Sequence, residues 1–273
     1  MRKKILTISL ALAMVLSLVA CAPGPLAQEI VDGVVESLPD IETYQFNVDV
    51  TIDVAAEAEA FEMTMVTDST GVLDFENGKL RVETTVSMVM PGEDEAEMAM
   101  ETYLIGDMIY MGGDVPGIGI IWVKSEMPEG IWEQVNQVEP QIALLEAAQV
   151  EVIGTEWIGG VSCYVLEITP DMEQVWPLIM RQAEMVGEMP AFSEEMFRSF
   201  SVKQWVEKDT YFLRKANIDV AMEFAPETMG LSEEEGVMTM DIVMDLLAYD
   251  YNQSVSIELP PEAEEAIEVS LEY

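Results

Sequence analysis

One run of alternating residues, which begins at Tyr44, constrains the fold of this chain more than any other feature. Apolar and polar residues take turns through this run, with Tyr44, Phe46, Val48, Val50, Ile52 and Val54 set against Gln45, Asn47, Asp49, Thr51 and Asp53. Side chains of a strand point alternately to its two faces, so the pattern predicts a strand with one buried and one solvated face. A helix does not fit this run, because the apolar side of a helix returns every 3.6 residues.

The same alternation returns along the rest of the chain and predicts an antiparallel meander in each half. Strands are predicted at 61–65, 72–75, 80–90, 96–104 and 108–111, and then at 150–157, 161–169, 202–207, 212–224, 237–247 and 255–259. Asn77-Gly78 is a hairpin signal, and helical spacing predicts an amphipathic helix over Leu26–Leu38. We therefore expect an α+β fold in which one sheet is interrupted by helices.

Two segments depart from the strand pattern. Gly112–Gly119 is rich in glycine but lacks the lysine and Ser/Thr of a phosphate-binding loop, so we expect a plain connection. Asp171–Phe200 has helical spacing in its first part and is rich in methionine and phenylalanine. Its portion Met180–Phe200 is either a mobile apolar lid over the sheet or an ordinary helix that completes the core.

The N-terminus has the layout of a secretory leader. A basic start at Met1–Lys4 is followed by an apolar run, Ile5–Val19, which is short for a bilayer span and ends in small residues. Leu18-Val19-Ala20-Cys21 resembles the lipobox of bacterial lipoproteins. The alternative is an ordinary signal peptide with an incidental cysteine.

The lipobox resemblance implies that residues 1–20 are a signal peptide and that Cys21 is acylated, for example with palmitate, as the mature N-terminus. Residues 21–28, which contain Pro23 and Pro25, would then be a short tether, and residues 29–273 would form the domain. The protein would be held by lipid at the extracytoplasmic face of the cell membrane, as a component of the cell envelope.

Charge and composition exclude several classes of function. Without the leader the chain has 9 basic and 52 acidic residues, a net charge of −43, which repels nucleic acid and disfavours contact with anionic lipid headgroups. The chain has no histidine, which removes the usual general base and the commonest zinc ligand. We expect no enzymatic activity, no cofactor and no dedicated metal site, since pairs of carboxylates arise by chance in so acidic a chain.

Cysteine usage points to packing and not to chemistry. If Cys21 carries lipid, Cys163 has no disulfide partner. Cys163 lies in the apolar run Val161–Leu166, so a buried structural thiol is expected there and not a nucleophile.

Three short stretches carry a resemblance to a known family. Glu156–Leu166 is similar to a G-x-x-C-Y-x-L strand after a turn, Trp205–Leu213 to a W-[IV]-[DE]-x-x-T hairpin, and Tyr249–Pro260 to a closing strand. With the order of elements over residues 26–268, they make the chain resemble the LolA and LppX/LprG-like lipoproteins. This resemblance implies an unclosed half-barrel, a curved antiparallel sheet wrapped around a few helices, with an apolar cavity that takes acyl chains.

Methionine pairs offer a candidate lining for such a cavity. Met63/Met65, Met88/Met90, Met98/Met100 and Met238/Met240 are each two residues apart, so both members of a pair face the same side of a strand. One interpretation is thioether ligation of Cu(I), and the other is an adaptable apolar stripe. The candidate ligand-binding residues are Met88, Met90, Met98, Met100, Trp122, Met180, Met185 and Met240.

Two hypotheses of function follow from the sequence, with Cu(I) handling as a weaker third. The first is a non-enzymatic, membrane-anchored module that holds a lipid or lipidated molecule in its apolar cavity. The second is a surface structural or interaction lipoprotein with a packed core and no small ligand, whose acidic exterior meets a cationic or divalent-bridged partner. A filled interior would favour the second hypothesis, and an open one would favour the first.

Overall fold

The computed structural model describes residues 26–56, 61–92, 94–115, 117–128, 132, 145, 148–173, 176, 194–225 and 236–269. Helix α1 spans Ala27–Ser37 and continues into a 3-10 turn at Leu38–Asp40. A second, short helix, α2, spans Pro261–Glu264 near the C-terminus, and a second 3-10 turn spans Glu194–Met196. The strands are β1 Thr43–Ala56, β2 Phe61–Asp74, β3 Lys79–Val89, β4 Ala96–Ile105, β5 Met108–Val115, β6 Gly119–Glu126, β7 Ala148–Ile158, β8 Val161–Pro170, β9 Phe197–Glu207, β10 Leu213–Phe224, β11 Met238–Tyr249 and β12 Ile267–Glu268.

These twelve strands form one sheet in the order β12-β6-β5-β4-β3-β2-β1-β11-β10-β9-β8-β7. All neighbours are antiparallel except β12 and β6, which run parallel over two residue pairs. The two outermost strands, β12 and β7, are not paired with each other within the described residues, so the barrel is unclosed. The predicted α+β fold, a single large curved antiparallel sheet in a half-barrel, is confirmed.

Strand register divides the side chains between two faces. Phe46 on β1 lies opposite Ala248 on β11 and Gly71 on β2, so these residues share a face, here called the inner face. The other face, here called the outer face, carries the alternate residues, such as Asp49. The assignment extends from strand to strand through each register and confirms the two faces that the alternation from Tyr44 onward predicts.

Helix α1 covers the inner face at one side of the sheet. Its apolar stripe of Ile30, Val31 and Val34 is buried against a cluster from β8 and β9. That cluster comprises Leu166, Ile168, Val202 and Val206, with Leu145 beside it. At the start of the helix the carboxylate of Glu29 accepts a hydrogen bond of 3.1 Å from the backbone N–H of Leu26, which satisfies one of the unpaired donors of the first turn.

The sheet has two ends, which differ in their connections. The lower rim is formed by the tight turns at 75–78, 106–107, 159–160, 208–212 and 250–252. The upper rim is the opposite end, where β1, β3, β5 and β10 finish and β2, β4, β6 and β11 begin. Helix α1 begins near the start of β7 at the upper rim, and its Gly33 lies against Tyr211 in a turn of the lower rim.

Two local predictions are wrong. Gly112–Val115 belongs to β5 and is not a loop, because the absent side chain of Gly112 makes room for the indole of Trp122. Val255–Leu259 is not a strand. This segment packs instead across the outer face, where Ile257 is buried beside Tyr103 and Trp122.

Candidate functional site

The inner face of the sheet carries no charged side chain at any described strand position. Register places the aspartates, glutamates, lysines and arginines of the paired strand positions on the outer face. The polar inner-face residues near the middle of the sheet are small, and Ser69 and Thr84 satisfy each other through a hydrogen bond of 3.0 Å. Although the chain has 52 acidic residues, the concave inner face is therefore an uncharged, largely apolar surface, which we call the trough.

The lower end of this trough is closed by aromatic side chains. Tyr44 stacks on Tyr251 with ring centroids 5.6 Å apart, and Phe212 approaches Tyr251 at 4.8 Å. The ring centroids of Phe46 and Phe75 lie 5.8 Å and 6.1 Å from that of Tyr44. We call these five residues the aromatic plug.

Burial changes the chemistry of the plug. It raises the pKa of Tyr44 to about 12 and raises the pKa of Tyr251 further, and the Tyr251 hydroxyl donates a hydrogen bond to the carbonyl of Leu213. Beside the plug, a cluster formed by Leu73, Leu80, Leu104 and Ile109 is buried. The lower half of the trough is therefore packed core.

The upper half of the trough is open at β4, whereas at β9 to β11 it is packed by a cluster of Met196, Met222 and Phe224. Met98 and Met100 are exposed on the inner face of β4, and Met98 retains 49% of its accessible surface. Met88 and Met240 are half-buried on the inner faces of β3 and β11, while Met90 is half-buried just beyond the end of β3. Five of the eight residues that the sequence nominated as a lining therefore lie at the upper end of one face or at its rim.

Trp122 is placed elsewhere, although the sequence nominated it for the same cavity. Register puts Val123 on the inner face opposite Met111, so its neighbour Trp122 points to the outer face. There it is buried against Ala263 and Ala266 of the C-terminal segment. The sequence does not predict which face of the sheet Trp122 occupies, because residues 120–123 are all apolar.

Three nominated residues, Cys21, Met180 and Met185, lie outside the described residues, as does most of the candidate lid Met180–Phe200. The described end of that segment is residues 194–200, in which Met196 is buried and Phe197 begins β9; both pack beside Met222 and Phe224.

Sequence reasoning missed other residues of the inner face. Val50 and Ile52 on β1, with Ile242 and Met244 on β11, are half-buried on the same inner face. The alternation from Tyr44 predicts that Val50 and Ile52 face inward, but it does not distinguish a packed core from a binding surface. The pairing of β1 with β11, which brings the four together, is not encoded by any local pattern.

A small pocket lies between helix α1 and β7. Ala27, Gln28 and Val31 line it from the helix and Ala148 and Val150 from the strand, with Leu145 beside them, around a volume of about 260 Å³. Small-molecule sites usually enclose about 300–1,000 Å³. The trough, and not this pocket, is thus the candidate binding site.

The outer face concentrates negative charge. Asp49 lies directly opposite Asp68 on β2 and Asp245 on β11. Burial, followed by the charges of Asp68 and Asp245, raises the pKa of Asp49. Even so, no group of three or more acidic or cysteine side chains within the described ranges is arranged to hold a metal ion.

Cys163 is a buried free thiol, as its apolar setting predicts. Burial raises the pKa of this thiol, and its Sγ lies 3.6 Å from the carbonyl oxygen of Val161. A thiol of this kind is a poor nucleophile, since thiolate and not thiol reacts. In the part of the chain that the structure describes, no helix has the length and apolarity needed to cross a bilayer.

Comparison with known proteins gives a family and a set of similar folds. Residues 26–268 match a family described as "Family of unknown function (DUF6612)". The chain is similar to the lipoprotein LppX of Mycobacterium tuberculosis, with 14% identity and a TM-score of 0.43 over 84% of this chain and 97% of that one. LprF of Mycobacterium bovis is 14% identical with a TM-score of 0.45, over 88% of this chain and 99% of that one.

A LolA superfamily protein of Nitrosomonas europaea is also similar, with 15% identity and a TM-score of 0.25 over 87% of this chain and 96% of that one. No curated protein matches the sequence. The similar structures include both groups of lipoproteins that the sequence resembles, and at these identities the likeness concerns the fold alone.

Proposed function

Because the chain belongs to the DUF6612 family, which has no assigned function, we propose a function from its own inner face. The protein is a non-enzymatic binding module, anchored to the membrane at Cys21, that holds a hydrophobic ligand on the extracytoplasmic side. The ligand is a lipid or a lipidated molecule. The observation that carries this proposal is an uncharged trough that is packed at its lower end and exposes Met98 and Met100 at its upper end.

Burial of apolar surface is the driving force for binding. Each square ångström of acyl chain and trough removed from water contributes about 25 cal/mol. The flexible, polarizable side chains of Met88, Met98 and Met100 adapt to chains of different shape. The absence of charge on the inner face matters equally, since an unpaired carboxylate beside an acyl chain would be costly to desolvate.

Exposure on the inner face favours this function over the alternative of a surface lipoprotein with a packed core. In a packed core, Met98 and Met100 would be buried, as Leu104 on the same strand and face is. The Cu(I) hypothesis draws on the same methionines, and no described cysteine lies among them to strengthen it.

Native mass spectrometry of the domain from Ala22 onward, secreted from a bacterial host, tests the proposal. We expect a stoichiometric adduct that dissociates as lipid, or uptake of a fluorescent fatty acid or phospholipid by the apo protein. A clean apo mass without uptake of either probe would contradict the proposal and favour the packed lipoprotein.

A pair of neighbouring substitutions separates trough binding from nonspecific adhesion. Met98→Glu places a charge in the open trough, and Ala99→Glu places the same charge one residue away on the outer face of β4. Both positions are exposed, so both variants should fold, which circular dichroism checks. We expect Met98→Glu to lose the ligand and Ala99→Glu to keep it; equal binding by the two variants would place the ligand elsewhere.

A further inference from the structure

The upper rim carries an exposed apolar patch that the trough itself does not require. Val89, Ile118 and Ile120 lie at the upper ends of β3 and β6 or in the turn before β6, and we call them the rim patch. Register places Val89 and Ile120 on the outer face, away from the trough lining. Ile118 and Ile120 retain 73% and 70% of their accessible surface. Soluble surfaces rarely group large apolar side chains in this way without a partner.

Local geometry projects the two isoleucines from the end of the sheet. Gly117 and Gly119 have φ values of +80° and +99°, which L-residues with side chains rarely adopt, and they flank Ile118 at the turn between β5 and β6. Ile120 follows on the outer face opposite Asp114, so the turn exposes apolar side chains beyond the trough lining. A ligand inside the trough would leave this turn in water.

The route of the chain indicates what covers the patch. Helix α1 begins at the upper rim, and only the residues 22–26 separate its first turn from Cys21. Five residues span at most about 18 Å even when fully extended. An acylated Cys21 would therefore hold the upper rim, and not the lower one, close to the bilayer.

We propose that the rim patch docks on the membrane surface, so that the open end of the trough faces the bilayer and ligand passes between them without crossing water. This inference rests on the proposed anchor and ligand-binding function. The partner surface is zwitterionic, because the neighbouring turn contains Asp94 and Glu95 and the whole chain is strongly acidic. Shallow insertion of apolar side chains at the headgroup boundary is the mode of contact.

Depth-dependent quenching in vesicles tests this orientation. The acylated full-length protein is reconstituted in phosphatidylcholine vesicles that contain doxyl-labelled lipid, with a nitrobenzofurazan fluorophore on Ile118→Cys or on Asp107→Cys. Asp107 lies in an exposed turn of the lower rim and serves as the matched control, while buried Cys163 does not compete for the label.

We expect the fluorophore at position 118 to be quenched and blue-shifted and the fluorophore at position 107 to remain in water. Equal signals from both positions, an unquenched label at 118, or failure of the protein to float with the vesicles would overturn the proposal. Vesicles with added phosphatidylglycerol should weaken the quenching at 118, because the acidic rim repels them.

A double variant, Ile118→Ser with Ile120→Ser, separates docking from ligand binding. We expect this variant to take up fluorescent phospholipid from detergent as the unchanged protein does. Its rate of lipid exchange with vesicles should fall about tenfold. Val243→Ser removes an exposed apolar side chain from the outer face of β11, away from both the trough and the rim patch, and it should exchange normally. Docking without any ligand uptake would refute the proposed function alone, and uptake without quenching at 118 would refute the docking alone.

Discussion

The ring of Phe46 lies directly on the backbone of Gly71, its cross-strand neighbour on the inner face. A Cβ at position 71 would overlap the ring, so glycine is required there by packing and not by backbone conformation. Because position 71 has no side chain, the Phe46 ring of the aromatic plug can pack against the backbone of β2. It is thus one of the contacts that make the lower half of the trough a core.

Substitution of this glycine should destabilise the protein. We expect Gly71→Ala to lower the free energy of unfolding by about 1–3 kcal/mol, because the ring must move out of a packed cluster. Urea denaturation followed by circular dichroism measures the change. Gly113→Ala is the control, since the nearest atom to its added Cβ is 4.0 Å away on Met100; equal losses in the two variants would show that strand glycines, and not the Phe46 contact, set the cost.

Tyr44 should make the fold sensitive to alkali. Its folded pKa of about 12 exceeds the ordinary value of about 10, so the fold favours the protonated phenol. The stabilisation is complete below about pH 10 and is lost as the pH rises towards about 12. We expect Tyr44→Phe to reduce this alkaline loss in urea melts, and the same variant at pH 7 isolates any effect of packing. A loss of stability identical to that of the unchanged protein would place the sensitivity elsewhere.

Local pattern predicted β1 well because it settles both the element and its faces. The alternation from Tyr44 to Val54 is unbroken, so a slip of one residue would bury Asp49 and Asp53. At β6 the same method fails. Ile120, Ile121, Trp122 and Val123 are all apolar, and the face of each depends on the register with β5 and on the C-terminal segment that covers Trp122.

The glycines show a second limit of prediction from sequence. Gly112 reads as part of a loop, because glycine is common in loops, yet it lies inside β5 beneath an indole ring. Whether Gly112 forms a loop or makes room for a side chain within a strand depends on Trp122, ten residues away in the sequence. The candidate site was predictable only in part for the same reason: Met88 and Met98 were nominated from their spacing, whereas Ile242 joins them through the long-range pairing of β1 with β11.

Asp49 should oppose folding at neutral pH. Its pKa is raised by burial and by Asp68 and Asp245, so the fold favours the protonated acid and is less stable when Asp49 is ionised. The stabilising contribution is present below the unfolded pKa of about 3.9 and is lost as the pH rises through the folded value. We expect Asp49→Asn to raise the thermal midpoint at pH 7 and to have little effect near pH 3.

The general acidity of the chain could produce a similar gain, so a second aspartate supplies the control. Asp114 is exposed on the outer face and lies opposite Ile120, without a facing carboxylate. Asp114→Asn removes the same charge and should raise the midpoint less at pH 7. If the two variants gain equally, net charge and not the row of three aspartates is responsible.

Trp122 should matter for stability and not for ligand binding. It is buried on the outer face beneath Ala263 and Ala266, on the side of the sheet away from the trough. Trp122→Ala leaves a cavity under the C-terminal segment, and we expect a loss of about 3–5 kcal/mol in urea denaturation. Ile120→Ala changes an exposed residue on the same strand and face and should cost much less. Lipid uptake per folded molecule of Trp122→Ala should equal that of the unchanged protein; a loss of uptake without a loss of stability would return Trp122 to the ligand site.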